Sequence, residues 1–249
     1  MGQPGRAQPL SKQDLAALIE GACFMASGGG GPKSMAYQFL QKMRGEVALQ
    51  NTTQLADDDH SLTVVGFGSP VKAKQGHGFS APVNAYHALT EHIEHAPAYL
   101  LPGEIGAVNA LLPFYVADYL NQQHRSIAVI DADPCGRAAP RLDEMLLALS
   151  GQSCTPAAIA SDSSATAASQ FCQRLFIEPH SPAELELKAR QDITSPAFNS
   201  IAGMALFPLT GRFIKAMATD YLVQGSISQA IDIGHALLQQ HSDSQIEEL

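Results

Sequence analysis

Two segments near the start of the chain carry apolar residues at helical spacing. The first holds Leu15, Leu18, Ile19, Ala22 and Cys23, the second Met35, Phe39, Leu40 and Met43. A period near 3.6 predicts two amphipathic helices, one from Ser11 to about Ala26 and one ending near Arg44 and Gly45. Ser11 suits the N-cap, with Asp14 in the first turn where a carboxylate favours the helix dipole. Glu46–Gln50 reads as a short strand. Then short, continuous apolar runs alternate with helix-periodic segments. The runs are Leu62–Phe67, Tyr99–Leu101, Ile127–Ile130 and Ala157–Ala160. The helical segments between them are Ala81–His95, Gly106–Asn121 and Leu142–Leu149. Such strands are buried on both faces, so the pattern predicts an α/β fold. The expected architecture is a three-layer domain with a mainly parallel sheet covered by helices on both faces. Right-handed crossovers would bring the strand-end loops to one edge, where α/β sheets bind ligands.

Further along, Phe171–Ile177 reads as a strand, and Ser181-Pro182-Ala183-Glu184 as a capping box opening a helix to about Arg190. Ile201–Leu206 is another strand. Thr210-Gly211 opens a helix, and Ser226 caps a last one to about Gln240. Residues 1–10 are expected to be a disordered lead, 11–240 a single domain and 241–249 a frayed tail.

Between the first two helices lies Ser27-Gly28-Gly29-Gly30-Gly31-Pro32-Lys33-Ser34. Ordering four glycines is entropically costly, so such a run belongs where φ is positive or the backbone approaches something closely. Pro32 suits the first residue of the second helix. The run reads as a glycine loop aimed at a helix N-terminus, a ready anion site, or else as a flexible turn.

The strand-end loops hold Glu104, Asn109, Asp131, Asp133 and Arg137, which can converge on one polar ligand. Glu104 or an aspartate would serve as a general base if burial raised its pKa. Asp131 and Asp133 would alternatively hold a divalent cation, since hard cations prefer oxygen ligands. His77, in Gln75-Gly76-His77-Gly78, is a further metal-ligand or proton-carrier candidate. The competing reading is that the carboxylates cap helices and accept loop amides, and that His77 is a solvated loop residue. Cys135 would be nucleophilic near a helix N-terminus, but no histidine partner is evident. Neither G-x-S-x-G nor G-x-x-x-x-G-K-[ST] occurs.

Composition narrows the classes. The 249 residues carry a net charge of −9, and 45% are hydrophobic. No lysine- or arginine-rich run exists, which argues against nucleic acid or an anionic membrane as partner. No apolar stretch reaches the ~18 residues of a membrane span. The four cysteines lack C-x-x-C spacing and the first residues lack an apolar leader, so a cytoplasmic protein with reduced thiols is expected.

Several stretches taken together resemble one family. They are Leu15–Gly31, Pro102-Gly103-Glu104-Ile105-Gly106 with Asn109, and Ile130-Asp131-Ala132-Asp133 with Gly136-Arg137-Ala138 and Pro140. Pro208-Leu209-Thr210-Gly211 and Gly225-Ser226-Ile227-Ser228-Gln229-Ala230 with Gly234 complete the set. The chain resembles the N-terminal domain of the S-methyl thiohydantoin desulfurase family, related to hydantoinase/oxoprolinase proteins, over roughly residues 11–240. The resemblance implies a three-layer α/β domain and hydrolytic chemistry on a five-membered cyclic amide or thioamide ring. Three departures stand out. The family's β-rich C-terminal domain does not follow, Ala107-Val108 precede Asn109 where glycine is usual, and Pro134 replaces a glycine. The expected protein is therefore a hydrolase completed by a partner or as a homo-oligomer. The alternative is a non-catalytic subunit that binds a small molecule with the same loops. A nucleotide-binding oxidoreductase is disfavoured, since no G-x-G-x-x-G follows a strand. The expected catalytic residues are Glu104, Asp131, Asp133 and Asn109, the last stabilising an oxyanion together with glycine-loop amides. Ser27, Gly28, Gly29, Gly30, Gly31, His77, Arg137 and Thr210 are expected to bind ligand.

Overall fold

The computed structural model describes residues 7–68, 79–162, 172–178, 180–198 and 201–247, with side chains to residue 240. The first helix, α1 (Lys12–Met25), starts on a reciprocal capping box. Asp14 N donates to Ser11 Oγ at 3.2 Å, and Ser11 N donates to Asp14 Oδ2 at 2.9 Å. The expected lead contributes a strand: β1 (Gln8–Leu10) pairs antiparallel with β2 (Val47–Gln50), and Leu10 enters the core. The second helix, α2 (Lys33–Lys42), begins one residue later than its proline predicts. Pro32 is its extended N-cap rather than its first helical residue.

Six further strands complete the sheet: β3 (His60–Gly68), β4 (Tyr99–Pro102), β5 (Ala128–Ile130), β7 (Ala157–Ala160), β8 (Gln173–Phe176) and β9 (Ile201–Thr210). Their order is β1-β2-β5-β4-β3-β9-β7-β8. The sheet is mixed and mostly parallel. Strands β2, β5, β4 and β3 form a parallel block, and β7 runs the same way. β9 lies antiparallel between β3 and β7, so the parallel block does not extend to β7 as the alternation of strands and helices implies. A small separate ribbon pairs β6 (Ala132–Asp133) with β10 (Val223–Gln224).

The continuous apolar runs are explained by burial on both faces. Leu100, Val129, Ala158 and Ala205 face one core, and their neighbours Leu101, Ile130, Ile159 and Leu206 face the other. The first core is covered by α1, α2, α3 (Ala81–Thr90), α4 (Leu112–Asn121) and α7 (Ser226–Glu247). The second is covered by α5 (Pro182–Ile193), α6 (Gly211–Tyr221) and the turns around Leu142 and Leu147. α1 and α7 touch backbone to backbone. A Cβ at Gly21 would lie 1.7 Å from Ala230 O, and one at Gly234 would lie 1.8 Å from Ala17 O. The backbone of α7 continues as helix into the expected tail, to Glu247.

Two expected helices form differently. Residues 107–111 are turns, because Val108 N and Asn109 N donate to Gly30 O instead of entering a helical ladder. Residues 142–150 form two short 3-10 turns. There, Leu142 N donates to Glu186 and Leu146 N to Pro134 O, which removes both amides from an i to i−4 pattern. Among the described residues no helix is long and apolar enough to cross a membrane.

Candidate active site

A cavity of about 610 Å³ opens at the carboxyl ends of β3 and β4. Its walls are Gly29–Gly31, the end of β3 from Gly66 to Gly68, Gly103 and Glu104 after β4, Arg137 to Leu142, and Glu186 with Arg190 of α5. Met35, Phe39, Leu112 and Met145 make part of it apolar.

The glycine run divides into two tasks. Ser27, at φ 49°, is the left-handed residue of a Schellman motif that ends α1. Ser27 N donates to Phe24 O at 3.0 Å, and Gly28 N to Cys23 O at 2.9 Å. Ser27 and Gly28 thus cap a helix and do not line the cavity. Gly30 instead presses on the loop after β4, where a Cβ would lie 2.5 Å from Gly106 Cα. Val108 N reaches Gly30 O at 3.0 Å and Asn109 N reaches it at 3.2 Å. The close approach that four glycines announce is therefore loop against loop. The amides of Gly30 and Gly31 have no acceptor among the described residues.

Glu104 is only 7% exposed. Its Oε1 accepts from Asn109 Nδ2 at 2.6 Å and its Oε2 from Ala139 N at 2.5 Å. Burial pushes its pKa above the usual carboxylate range, and the negative charge of Asp133 adds to this. The bonds from Asn109 and Ala139 pull the other way. Asn109 also accepts from Gly66 N at 2.7 Å and donates to Gly66 O at 3.4 Å. Both its amide hydrogens are engaged, so it fixes Glu104 to β3 and has no donor left for an oxyanion.

Arg137 lies on the exposed rim. Its carbonyl accepts from Ile105 N at 3.3 Å, and its guanidinium has no partner among the described residues.

Asp131 and Asp133 are absent from the cavity walls. Asp131 closes the start of α7. Its Oδ1 accepts from Ile227 N at 3.1 Å and Ser228 N at 3.0 Å, and its Oδ2 from Ser228 Oγ at 2.6 Å. Asp133 is fully buried and folds its own loop, with Oδ1 accepting from Cys135 N and Gly136 N at 2.7 Å each. Its Oδ2 and Ser226 Oγ are near each other yet outside hydrogen-bond geometry. Burial raises the Asp133 pKa to about 6. The Cys135 thiol is pushed up by burial and by the Asp133 and Glu104 charges, the opposite of an activated nucleophile. Thr210 is at the wrong end of the sheet: it pairs with His60 while Ile201 pairs with Gly68 at the cavity. It caps α6 through Phe213 N, a nine-residue strand away, roughly 26 Å at ~3.3 Å per residue. His77 lies outside the described residues.

Of the expected metal ligands, Asp131 is committed to the start of α7 and Asp133 to its own loop. Both Asp131 oxygens are taken by α7, and among the described residues no three His, Cys, Asp or Glu side chains gather as a metal-binding group. Glu186 and Arg190 went unnoticed in the sequence. The available signal was a carboxylate in the buried stripe of α5, beside Leu185, Ala189 and Ile193.

Residues 13–170 match the S-Me-THD-like family, N-terminal domain. The fold is similar to the crystal structure of a protein from Chromobacterium violaceum, with a TM-score of 0.80 and 28% identity. The alignment covers 94% of this chain and 62% of that one, so this chain spans less than two thirds of that protein's length. No curated protein matches the chain.

Proposed function

The chain belongs to the S-Me-THD-like family, and from that premise we propose that it is a hydrolase-like protein acting on a five-membered cyclic amide or thioamide ring. The ring would be of the hydantoin or S-methyl thiohydantoin type, bound in the cavity beside Glu104. The observation that carries this reading is a buried carboxylate on a cavity wall, its pKa raised by burial. Such a group takes a proton from an attacking water and returns it to the departing nitrogen or sulfur. Asn109 holds it in place, and the amides of Gly30 and Gly31 are the donors left for a developing oxyanion. Arg137 on the rim suits an anionic substituent on the ring. All four cysteines are free, in keeping with a cytoplasmic setting.

A second reading is a non-catalytic subunit that binds the same ring. It is favoured by the mutual satisfaction of Glu104, Asn109 and Ala139, which suits a fixed wall as well as a proton carrier. Turnover and binding of a hydantoin and S-methyl thiohydantoin panel separate the two. For the hydrolase, Glu104→Gln lowers turnover by ~10²-fold or more while affinity is kept. Binding without turnover in the unmodified chain supports the second reading. Neither binding nor turnover would dismiss both.

A further inference from the structure

α5 packs Leu185, Ala189 and Ile193 into the core on the far face of the sheet. Two of its residues reach out of that layer to the loop that follows β6. Glu186 is 1% exposed, its Oε1 paired with Arg190 Nε. Its Oε2 accepts from Leu142 N at 3.2 Å. Arg190 Nη2 donates to Pro140 O at 3.0 Å, and its guanidinium carbon stands 5.3 Å from the centre of the Phe67 ring. A carboxylate removed from water is tolerated only when paired. Here the pair's remaining bonds fall on Pro140 and Leu142. The residue before Pro140 is Ala139, whose N–H is bonded to Glu104 Oε2. The other end of the loop is fixed separately, by Asp133 Oδ1 on Cys135 N and Gly136 N.

We infer that Glu186 and Arg190 are positioning residues for Glu104: they clamp Pro140 and Leu142, and so keep Ala139 N on the Glu104 carboxylate. The inference rests on the reading of Glu104 as the acid–base group of the cavity. Neither residue touches Glu104, so their influence arrives through the loop. The Ala139 bond favours the ionised carboxylate, and its loss makes Glu104 hold its proton to higher pH. Asp133 and Cys135 are the other titratable groups facing Glu104, with Arg137 next to Cys135. Asp133 and Cys135 sit at the end of the loop that the Asp133 bonds hold, away from Pro140 and Leu142.

The sign of the effect separates a clamp from plain electrostatics. Glu186→Met removes a negative charge, which by itself lowers the pKa of a nearby carboxyl. A broken clamp raises it. Arg190→Lys keeps both charges and removes the fork that reaches Pro140 O.

The test is a carbon NMR titration of the Glu104 carboxyl in the full chain, assigned by its disappearance in Glu104→Gln. Glu186→Met is expected to move the titration up by roughly half to one pH unit, and Arg190→Lys to move it less in the same direction. A downward or absent shift in folded Glu186→Met overturns the inference. If Glu186→Met does not fold, Arg190→Lys decides: an unmoved titration overturns the clamp. Should Glu104→Gln leave turnover and binding untouched, the functional reading falls while the titration still reports on the clamp.

Discussion

Gly30 and Gly106 meet backbone to backbone: a Cβ on Gly106 would lie 2.4 Å from Gly30 Cα and 2.9 Å from Gly29 O. No rotamer relieves a clash with main chain. Gly106→Ala is therefore expected to destabilise the protein by about 2 kcal/mol, within the usual cost of overpacking. It should also weaken ligand binding, because the two loops that meet here are adjoining walls of one cavity. Gly28→Ala is the control. Nothing lies within 4 Å of its Cβ position, but φ is +83°. It should cost about 1 kcal/mol of backbone strain and leave affinity unchanged. Thermal melts with ligand titrations check both, and equal affinity in Gly106→Ala would detach the glycine loop from the site.

Asp133 gives a pH signature. Its folded pKa is raised to about 6, against ~3.9 in an unfolded chain. Between those values the folded state holds a proton that the unfolded state has released. Its contribution is full below the unfolded value and is lost as pH rises through about 6. Asn keeps an oxygen for the Cys135 and Gly136 amides and adds a donor toward Ser226. Asp133→Asn should therefore stabilise the protein at pH 8 by up to about 3 kcal/mol, at ~1.4 kcal/mol per unit, and give no such gain at pH 4. Urea melts at the two pH values decide it, and equal midpoint changes at both would contradict the assignment.

The fold was largely legible in the sequence because its strands are buried on both faces. Ala157–Ala160 is apolar at every position, and the structure buries every one. β9 was harder to read. An antiparallel strand inserted between β3 and β7 has the same all-apolar composition as a parallel one, so its direction leaves no local trace. The helix expected over Gly106–Asn121 forms only from Leu112, and the one expected over Leu142–Leu149 breaks into 3-10 turns, because amides there are claimed by Gly30, Pro134 and Glu186, distant residues that periodicity does not see. At the cavity, Glu104, Asn109 and Arg137 were visible as polar residues at strand ends. Asp131 had the same appearance, yet closes α7, a helix that begins 95 residues later in Ser226–Glu247. Thr210 shared a motif with the family but stands at the other edge of the sheet.

Asp131 and Glu104 should separate cleanly. Asp131→Ala removes three bonds at the start of α7 and is expected to cost about 1–2 kcal/mol, the scale of a lost helix cap. Ligand affinity should stay within twofold, roughly 0.4 kcal/mol. A large affinity loss at unchanged stability would return Asp131 to the binding site.

The central claim is that the cavity beside Glu104 holds the ring. A crystal of the protein soaked with an S-methyl thiohydantoin tests it most directly. The account predicts the ring inside this cavity, against the Glu104 carboxyl and within reach of the Gly30 and Gly31 amides, with any anionic substituent toward Arg137. A ring ordered elsewhere, with this cavity left to solvent at a saturating concentration, would contradict it.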